Sequence, residues 1–360
     1  MQGSDCRRHS SLLPGTVTMA VRIMQAARAV LLAAVVVAMC SSVTDGAVTP
    51  LKIGFYGTTC PQAEQIIFDT MLRIFNTPID PLNPEIGPNV APDLLRLHFH
   101  DCFVDGCDGS VLLDGPTSEK AAAPNVRLEG FIVVDQIKAA LEAACPQTVS
   151  CADILAFAAR DALKLTGGFG YDVPAGRRDG LTSSGAGAVS NLPNPTESMS
   201  QLSAKFAKFG LTQADMVVLS GAHTIGDVAC HHIDNRLYTF RSRTGSDPSL
   251  PLPFLLQLKA ICPSPGLQLI TVSMDQVTPL TFDSQYYRNL QTRRSVLSSD
   301  QLLFTDARTR PIVNQLAKSN TVFFRAFAKA MVKMGNIGNL RGTDGQVRTD
   351  CKIVNAPVAA

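Results

Sequence analysis

The chain has 360 residues, with 32 Lys and Arg against 30 Asp and Glu, which gives a net charge of +2. A near-balanced charge with scattered basic residues argues against a nucleic-acid-binding surface. A chain of this length can bury a large core, either as one large domain or as two lobes.

The first fifty residues have the pattern of a targeting segment. Arg22 and Arg28 precede the apolar run Ala29–Cys40, and small and polar residues follow that run. A basic region, a short apolar region and a small-residue exit are typical of a signal peptide, whereas a membrane anchor needs about 20 apolar residues. We therefore expect residues 1–47 to be removed on secretion, with residues 1–18 an over-extended start and no membrane contact afterwards.

The cysteines of the mature chain predict a disulfide framework. Of the ten cysteines, Cys6 and Cys40 fall in the predicted signal peptide, which leaves eight. An even number of cysteines in a secreted chain favours disulfides over free thiols, but spacing alone leaves roughly a hundred pairings open. The eight are Cys60, Cys102, Cys107, Cys145, Cys151, Cys230, Cys262 and Cys351.

Most long segments of the mature chain have helical rather than strand periodicity. We predict helices within residues 125–145, 150–168, 198–212, 212–226 and 320–338. The first should carry Ile132 on its apolar side, and the second should begin in a capping region at Ser150. Thr212 and Asp215 form a capping-box pattern, and Asn320 is a candidate N-cap. The chain is therefore predicted to be mostly α-helical.

The stretch "LLRLHFHDC" carries the first candidate catalytic groups. Pro92 just before it is typical of a first helical turn, so we predict a helix here. On a helix, Arg96 and His100 share a face with Phe99 beside them, which suits a reaction that needs a base and a fixed positive charge. His98 and His100 would point about 200° apart and could not share a metal. On a strand the two histidines could do so, which leaves an H-x-H zinc site as the alternative.

The following stretch "DCFVDGCDGS" is rich in oxygen donors. Asp101, Asp108 and Ser110 offer side-chain oxygens, and the glycine-bearing loop between them can turn backbone carbonyls inward. Hard oxygen donors at this density suit Ca²⁺. The alternative is a solvated acidic loop that Cys102 and Cys107 hold in place.

A separate histidine, His223, lies at the end of the apolar segment "VVLSGAHTIG". A lone histidine in such a place is usually a core residue with its hydrogen bonds satisfied. Together with the Arg96 and His100 pair, however, it could hold a flat cofactor between two apolar helices.

These motifs together resemble those of the secreted plant haem peroxidases of class III. They run in that family's order through residues 48–353 and include "FYGTTCP", "LLRLHFHDCFVDGCDGSVLLD", "SCADILAFAARD", "LPNP", "VVLSGAHTIGDVAC", "LSSDQLLFTD" and "MVKMGNIG". The resemblance implies an all-α, two-lobed fold with very little β structure and with haem between a distal and a proximal lobe. It also implies one peroxidase domain at residues 48–353 and a short tail at residues 354–360.

The resemblance also assigns the groups around one b-type haem per chain. His223 would be the axial ligand of the haem iron, with Asp300 as the carboxylate partner of its ring. His100 would act as general base and acid towards H₂O₂, and Arg96 would stabilise the charge that develops as the O–O bond breaks.

Three further residues complete that assignment. Asn125 would hold the imidazole of His100 in the correct tautomer. Phe99 would shield the distal side of the haem, and Pro193 would lie where reductants reach the haem edge.

Two calcium ions per chain and one disulfide pairing are implied in the same way. The distal ion would use the side chains of Asp101, Asp108 and Ser110 and the carbonyls of Val104 and Gly106, with Glu119 bound through water. The proximal ion would use Thr224, Asp275, Thr278, Thr281 and Asp283. The disulfides would be Cys60–Cys145, Cys102–Cys107, Cys151–Cys351 and Cys230–Cys262.

The implied activity is the H₂O₂-dependent oxidation of small phenolic reductants in one-electron steps. We expect a monomer in the extracellular space or cell wall, with a cell-wall polymer as a further partner and no nucleic acid. Two other classes stay open: a non-catalytic extracellular protein that keeps the fold, and a secreted zinc hydrolase. The first should have lost at least one catalytic residue, and the second lacks a convincing third ligand.

This chain departs from the family's usual residues at several places near the implied site. Asp93 replaces a serine that the family has close to the haem propionates, and Glu129 replaces an arginine. The alternative for Asp93 is a place in the first turn of its helix, facing water. Tyr171 replaces a tryptophan, and His232 lies where the residue near the haem edge is often apolar. None of these changes removes a catalytic group.

Overall fold

The computed structural model of the protein describes residues 50–78, 86–264 and 269–356. The predicted signal peptide and the end of the predicted tail lie outside these residues. Within them the chain forms thirteen α-helices, several short 3-10 turns and one small sheet. The predicted all-α architecture is confirmed.

The helices are short to medium in length. In chain order they are α1 Ala63–Phe75, α2 Val90–Cys102, α3 Phe131–Ala144, α4 Cys151–Leu165, α5 Gly185–Asn191, α6 Met199–Lys208, α7 Gln213–Leu219, α8 Asp234–Leu237, α9 Leu252–Ile261, α10 Gln285–Gln291, α11 Ser298–Thr305, α12 Arg310–Leu316 and α13 Asn320–Met334. The sheet pairs β1 (Asp227–Ala229) antiparallel to β2 (Thr271–Ser273).

Helix α4 is the centre around which the first helices pack. Its residues 151–163 are all buried, and α1, α2 and α3 pack against it. Ser150 begins the helix by accepting a hydrogen bond from the backbone N–H of Asp153, as its capping pattern predicts. Because α4 is buried on every side along these residues, it can hold α2 in a fixed orientation.

A buried ion pair ties the start of α4 to distant parts of the chain. Arg177 donates to Asp153 at 2.7 Å and to the carbonyl of Gly335 at 2.7 Å. The other carboxylate oxygen of Asp153 accepts from the Tyr56 hydroxyl, also at 2.7 Å. These charge-assisted bonds satisfy both buried charges and join the N-terminal segment, α4 and the end of α13.

The disulfide pairing implied by the family resemblance is confirmed. The structure contains Cys60–Cys145, Cys102–Cys107, Cys151–Cys351 and Cys230–Cys262. All eight cysteines of the predicted mature chain are therefore paired. None of the helices in the described part of the chain is long and apolar enough to cross a membrane.

Several local predictions are confirmed and two are wrong. The Thr212 and Asp215 capping box is present at the start of α7. Ile132, however, is 44% exposed, while Lys138 on the same helix is buried because its ammonium group donates to the carbonyl of Val149. Asn320 is not the cap of α13, since its side-chain oxygen instead accepts from Ser284.

The two histidines of "LHFHD" lie on a helix and have different surroundings. His98 is buried in the core, where its ring contacts the sulfur of Cys102 at 3.7 Å. Burial and the charge of Arg177 lower the pKa of His98 to about 3. Because His98 points into the core and His100 does not, the H-x-H zinc site is wrong.

The buried His98 predicts a loss of stability in acid. An unfolded histidine titrates near pH 6.5 and the folded one near pH 3, so below about pH 6.5 the unfolded state takes up a proton that the folded state refuses. Between pH 7 and 4.5, His98→Gln should lose about 2–3 kcal/mol less of its free energy of unfolding than the unmodified protein. Urea unfolding of both proteins at both pH values measures this. The difference in their free energies of unfolding at pH 7 is the control for lost packing. Equal losses in the two proteins would contradict the account.

Candidate active site and cation sites

Helix α2 brings the two predicted distal groups together. Arg96 and His100 lie one helical turn apart, and the Nε of Arg96 donates to the Nε2 of His100 at 3.3 Å. Arg96 is exposed, whereas His100 is buried. The pair therefore presents a cation at the surface of a cleft and a base directly behind it.

A hydrogen-bond chain fixes the orientation of His100. Its Nδ1 lies 2.6 Å from the side-chain oxygen of Asn125, whose amide nitrogen donates to the carbonyl of Glu119 at 2.8 Å. Because an amide oxygen only accepts, Nδ1 must carry the proton and Nε2 is an acceptor. Burial and the charge of Arg96 lower the pKa of His100 to about 3, against a smaller rise caused by Asn125. The imidazole is therefore a neutral base at ordinary pH.

Two backbone carbonyls that the sequence reading missed hold Arg96 in place. Arg96 donates to the carbonyl of Arg127 at 2.8 Å and to that of Pro124 at 3.3 Å. Both belong to the segment "APNVR", which also carries Asn125, so one loop positions both distal groups. Backbone carbonyls leave no mark in a sequence, and only the nearness of this segment to Asn125 could have indicated the contact.

His223 follows helix α7 in a short 3-10 turn. Its Nδ1 lies 3.1 and 3.2 Å from the two carboxylate oxygens of Asp300, which is buried at the start of α11. The His223 side chain is 42% exposed. The edge of the ring faces Tyr286, which the sequence reading also missed, with the ring centres 6.2 Å apart.

The geometry of His223 suits an axial ligand. Desolvation and the charge of Arg96 lower its pKa, but Asp300 more than offsets both and the pKa is raised. A carboxylate on one ring nitrogen makes the other nitrogen more basic and fixes its direction, as metal-binding histidines require. Since Nδ1 is occupied by Asp300, Nε2 is available for iron.

Arg96 and His223 are near enough to interact through their charges. The positive charge of Arg96, on α2, is close enough to lower the pKa of His223 on a separate segment. Helix α2 thus offers the guanidinium of Arg96 and the base His100. The turn after α7 offers the partly exposed imidazole of His223, which is bonded to a buried carboxylate. These residues fit the haem that the family resemblance implies, because they supply one axial nitrogen and leave the opposite side for a small reactant.

Phe99 and Pro193 are the other two residues predicted around the haem. Phe99 is half-buried, with its ring centre 5.7 Å from that of His100 and 4.3 Å from that of Phe103. Pro193 is partly exposed in the loop after α5. The carbonyl of Pro195 in that loop accepts from the hydroxyl of Ser298 at 2.9 Å, which anchors the loop to α11.

The loop after α2 gathers carboxylates that lack ion pairs within the described residues. Asp101 is completely buried and accepts hydrogen bonds from the backbone of Gly109 at 3.0 Å. Burial, together with Asp108 and Glu119, raises the pKa of Asp101, and burial raises the pKa of Glu119 to about 8. The hydroxyl of Ser110 and one oxygen of Glu119 are buried without a hydrogen-bond partner in this part of the structure. Such a set fits a cation, which would relieve the repulsion and use the unpaired oxygens.

The two predicted carbonyl ligands of this site lie in the same loop. Val104 has a buried carbonyl that already accepts from Asn191 at 3.2 Å. Gly106 has a φ of +116°, and an added Cβ would come within 2.7 Å of Gly338. Glycine is therefore required there if the loop is to turn its carbonyl inward.

A second oxygen cluster adjoins His223. The hydroxyls of Thr224 and Thr278 each lie 3.2–3.4 Å from carboxylate oxygens of both Asp275 and Asp283. These hydrogen bonds are long and shared, as expected where hydroxyls and carboxylates converge on a cation. Thr281, the fifth predicted ligand, joins the cluster through its backbone N–H, which donates to the carbonyl of Thr278.

Neither cluster could bind a metal through acidic and imidazole side chains alone. Within the described ranges, no group of three or more His, Cys, Asp and Glu side chains is arranged to hold an ion. A cation at either place would need hydroxyl, carbonyl or water oxygens as well. That requirement matches the mixed oxygen shells of Ca²⁺ rather than the nitrogen and sulfur shells of Zn²⁺.

Three of the residues that depart from the family pattern lie close to Arg96. Burial lowers the pKa of Arg96, and the charges of Asp93 and Glu129 oppose that lowering; Asp93 is itself partly buried. His232 is exposed, and burial, His231, Arg96 and Arg127 together lower its pKa to about 4. The surroundings of Arg96 are therefore more negative than the family pattern predicts, because Asp93 replaces a serine and Glu129 an arginine.

Comparisons with known proteins agree with this geometry. The family model described as Peroxidase matches residues 75–319. The chain is 47% identical over 310 residues to Peroxidase 71 of Arabidopsis thaliana, covering 86% of this chain and 91% of that protein. It is 46% identical over 327 residues to Peroxidase 5 of Vitis vinifera, with 89% and 96% covered. Peroxidase N1 of Nicotiana tabacum is 44% identical over 308 residues, with 84% and 90% covered.

Proposed function

Because the chain belongs to the plant peroxidase family, whose members are haem- and calcium-binding oxidoreductases that use H₂O₂, we propose that it oxidises small phenolic reductants in one-electron steps. The observation that carries the proposal is the presence of two hydrogen-bonded pairs, Arg96 with His100 on α2 and His223 with Asp300. A non-catalytic relative would have no reason to keep both pairs in hydrogen-bonding geometry.

The distal residues move and stabilise charge. His100, neutral with Nε2 unprotonated, takes a proton from H₂O₂ and returns it to the departing oxygen. Arg96, whose Nε is 3.3 Å from that nitrogen, stabilises the negative charge that develops as the O–O bond breaks. Asn125 keeps the required tautomer by accepting the Nδ1 proton. Haem, when bound, would supply the redox-active iron.

The proximal residues would control how strongly the axial ligand His223 donates to iron. Asp300 accepts the Nδ1 proton of His223 and makes Nε2 a stronger donor to iron. The 42% exposure of the His223 side chain leaves room for haem against it. Pro193 would contact the reductant, and its loop is held to the helix that carries Asp300.

We assign one calcium ion to each oxygen cluster. Asp101 directly follows His100 and Thr224 directly follows His223 in the chain. Each ion would thus hold the backbone next to one of the two functional histidines. The hydrogen bond from Asn125 to the carbonyl of Glu119 adds a second link between the first cluster and His100.

The remaining assignments concern the whole protein. Residues 1–47 would be a signal peptide and residues 48–353 the catalytic domain, followed by a short tail. The protein would act as a monomer with one haem and two calcium ions, outside the cell or in its wall, where a wall polymer is a further partner. The four disulfides support an oxidising compartment.

The first prediction concerns the base. His100→Ala should slow the reaction with H₂O₂ by about 10²–10⁴-fold, because Arg96 cannot replace a lost general base. Haem binding should survive, since His223 is untouched. Stopped-flow absorption measures the rate, and His98→Gln on the same helix is the matched control that should react normally. A His100→Ala protein that reacts at the unmodified rate would rule out the assignment.

The second prediction concerns calcium. Removing Ca²⁺ with EDTA should lower activity and the thermal unfolding midpoint together, and adding Ca²⁺ back should restore both. When the free Ca²⁺ concentration is about 100 times the Kd of a site, binding there adds roughly 3 kcal/mol to the free energy of unfolding. Metal analysis of the active protein should find calcium. Active protein without calcium, or EDTA treatment with no effect, would contradict the assignment.

The third prediction concerns Asp93. Its carboxylate acts on Arg96, so it should also repel the carboxylates of haem bound in the same cleft. The Asp93→Ser protein should therefore bind haem more tightly, and its haem affinity should vary less with pH between about pH 4 and 7. Haem-transfer rates to an apo-acceptor measure this, with the exposed Asp344→Ser as control. Identical curves for Asp93→Ser and the unmodified protein would remove Asp93 from the haem site.

A further inference from the structure

A buried tyrosine on α10 lies against the proposed axial ligand. Tyr286 is 3% exposed, and its ring lies at 80° to that of His223, with the ring centres 6.2 Å apart. Asp300, on α11, is bonded to the Nδ1 of the same imidazole. Tyr286 has no role in the function proposed above, although it is buried beside the residue on which haem binding depends.

The hydroxyl of Tyr286 lacks a satisfactory partner. Within the described residues it is buried and makes no hydrogen bond of normal geometry. Burial first, and then the negative charge of Asp300, raise the pKa of Tyr286 well above its usual value. The hydroxyl and the carboxylate are therefore close neighbours whose hydrogen bond is not fully formed. A buried hydroxyl without a partner is costly, and an acceptor within reach removes that cost.

Asp300 has room for a second donor. Its two carboxylate oxygens lie 3.1 and 3.2 Å from the Nδ1 of His223, and no other hydrogen bond of normal geometry reaches them in the described part of the chain. An ionised carboxylate can accept about four hydrogen bonds. Because Asp300 is buried, bulk water reaches it poorly. Tyr286 is therefore the side chain placed to supply a second donor.

The next residue, Tyr287, has different surroundings and offers a comparison. Its hydroxyl donates to the carbonyl of Val218 at 3.0 Å and to that of Val217 at 3.2 Å, both near the end of α7. The rings of the two tyrosines lie 5.0 Å apart at 76°. Tyr287 thus holds the end of α7 with its hydroxyl satisfied, whereas Tyr286 contacts the imidazole of His223 with its hydroxyl unsatisfied.

We propose that Tyr286 is a positioning residue that donates a hydrogen bond to Asp300 in the haem-loaded protein and so limits how strongly His223 donates to iron. The inference rests on the proposed role of His223 as the axial ligand. A carboxylate shared between two donors attracts the Nδ1 proton less, which makes Nε2 a weaker donor. A weaker donor stabilises ferric iron less and raises the ferric–ferrous reduction potential. Tyr286 therefore opposes the effect of Asp300.

The test measures the ferric–ferrous reduction potential of the haem-loaded proteins by spectroelectrochemistry. At a fixed potential, Tyr286→Phe should raise the ferric-to-ferrous ratio about threefold to tenfold, the range of one net hydrogen bond, which corresponds to a potential lower by about 30–60 mV. The iron–histidine stretch in its ferrous Raman spectrum should move to higher frequency. Tyr287→Phe makes the same chemical change on the neighbouring residue. It should lower the thermal unfolding midpoint and leave the potential unaltered.

A double-mutant cycle tests whether the effect passes through Asp300. Asp300→Asn should raise the potential, because an amide attracts the Nδ1 proton less, and adding Tyr286→Phe to it should change the potential little. Circular dichroism and the Soret band check that each variant folds and binds haem. The inference is overturned if haem-loaded Tyr286→Phe keeps the unmodified potential, or if its shift is the same with and without Asp300. An unmodified protein without a Soret band would contradict the proposed function, and this inference with it.

Discussion

A buried carboxylate needs a partner that offsets its charge. In this protein the kind of partner differs between the scaffold and the surroundings of the two functional histidines. In the scaffold, Asp153 and Asp247 each form an ion pair with a buried arginine at 2.7–2.8 Å. Beside the two functional histidines, the clusters around Asp101 and Asp275 form no ion pair among the described residues and are surrounded by hydroxyls and carbonyls instead. Carboxylates buried without an opposite charge are costly, which is why we propose a cation at each of these two places.

The two proposed cations would each act on the position of one functional histidine. On one side, Asn125 bonds to both His100 and the carbonyl of Glu119, so a change in the acidic loop reaches the base through two hydrogen bonds. On the other side, the hydroxyl of Thr224 lies in the second cluster while the neighbouring His223 bonds to Asp300. A rigid site is valuable here because a proton transfer and a developing charge must be met by groups already in position.

Much of this could be predicted from the sequence, and the failures have physical causes. Helical spacing correctly placed Arg96 beside His100, because residues four apart meet on any helix. The disulfide pairing did not follow from spacing and came only through family resemblance, since pairing depends on tertiary contacts. The prediction for Ile132 was wrong because single apolar residues are common on protein surfaces, so apolar character alone does not show that a residue is buried. Lys138 is buried because its ammonium group donates to the carbonyl of Val149. The contacts of Arg96 with two backbone carbonyls were missed, because backbone carbonyls are the same in every residue and only the nearness of Asn125 in the chain pointed to that segment.

The central claim is that haem binds between Arg96 and His223, with His223 as its axial ligand. The most direct measurement is the absorption spectrum of the purified protein and of His223→Ala, each prepared with the same haem supply. The unmodified protein should show a Soret band, and His223→Ala should show a displaced or much weaker band with the fold retained by circular dichroism. A protein with no Soret band, or a His223→Ala spectrum identical to the unmodified one, would contradict the account.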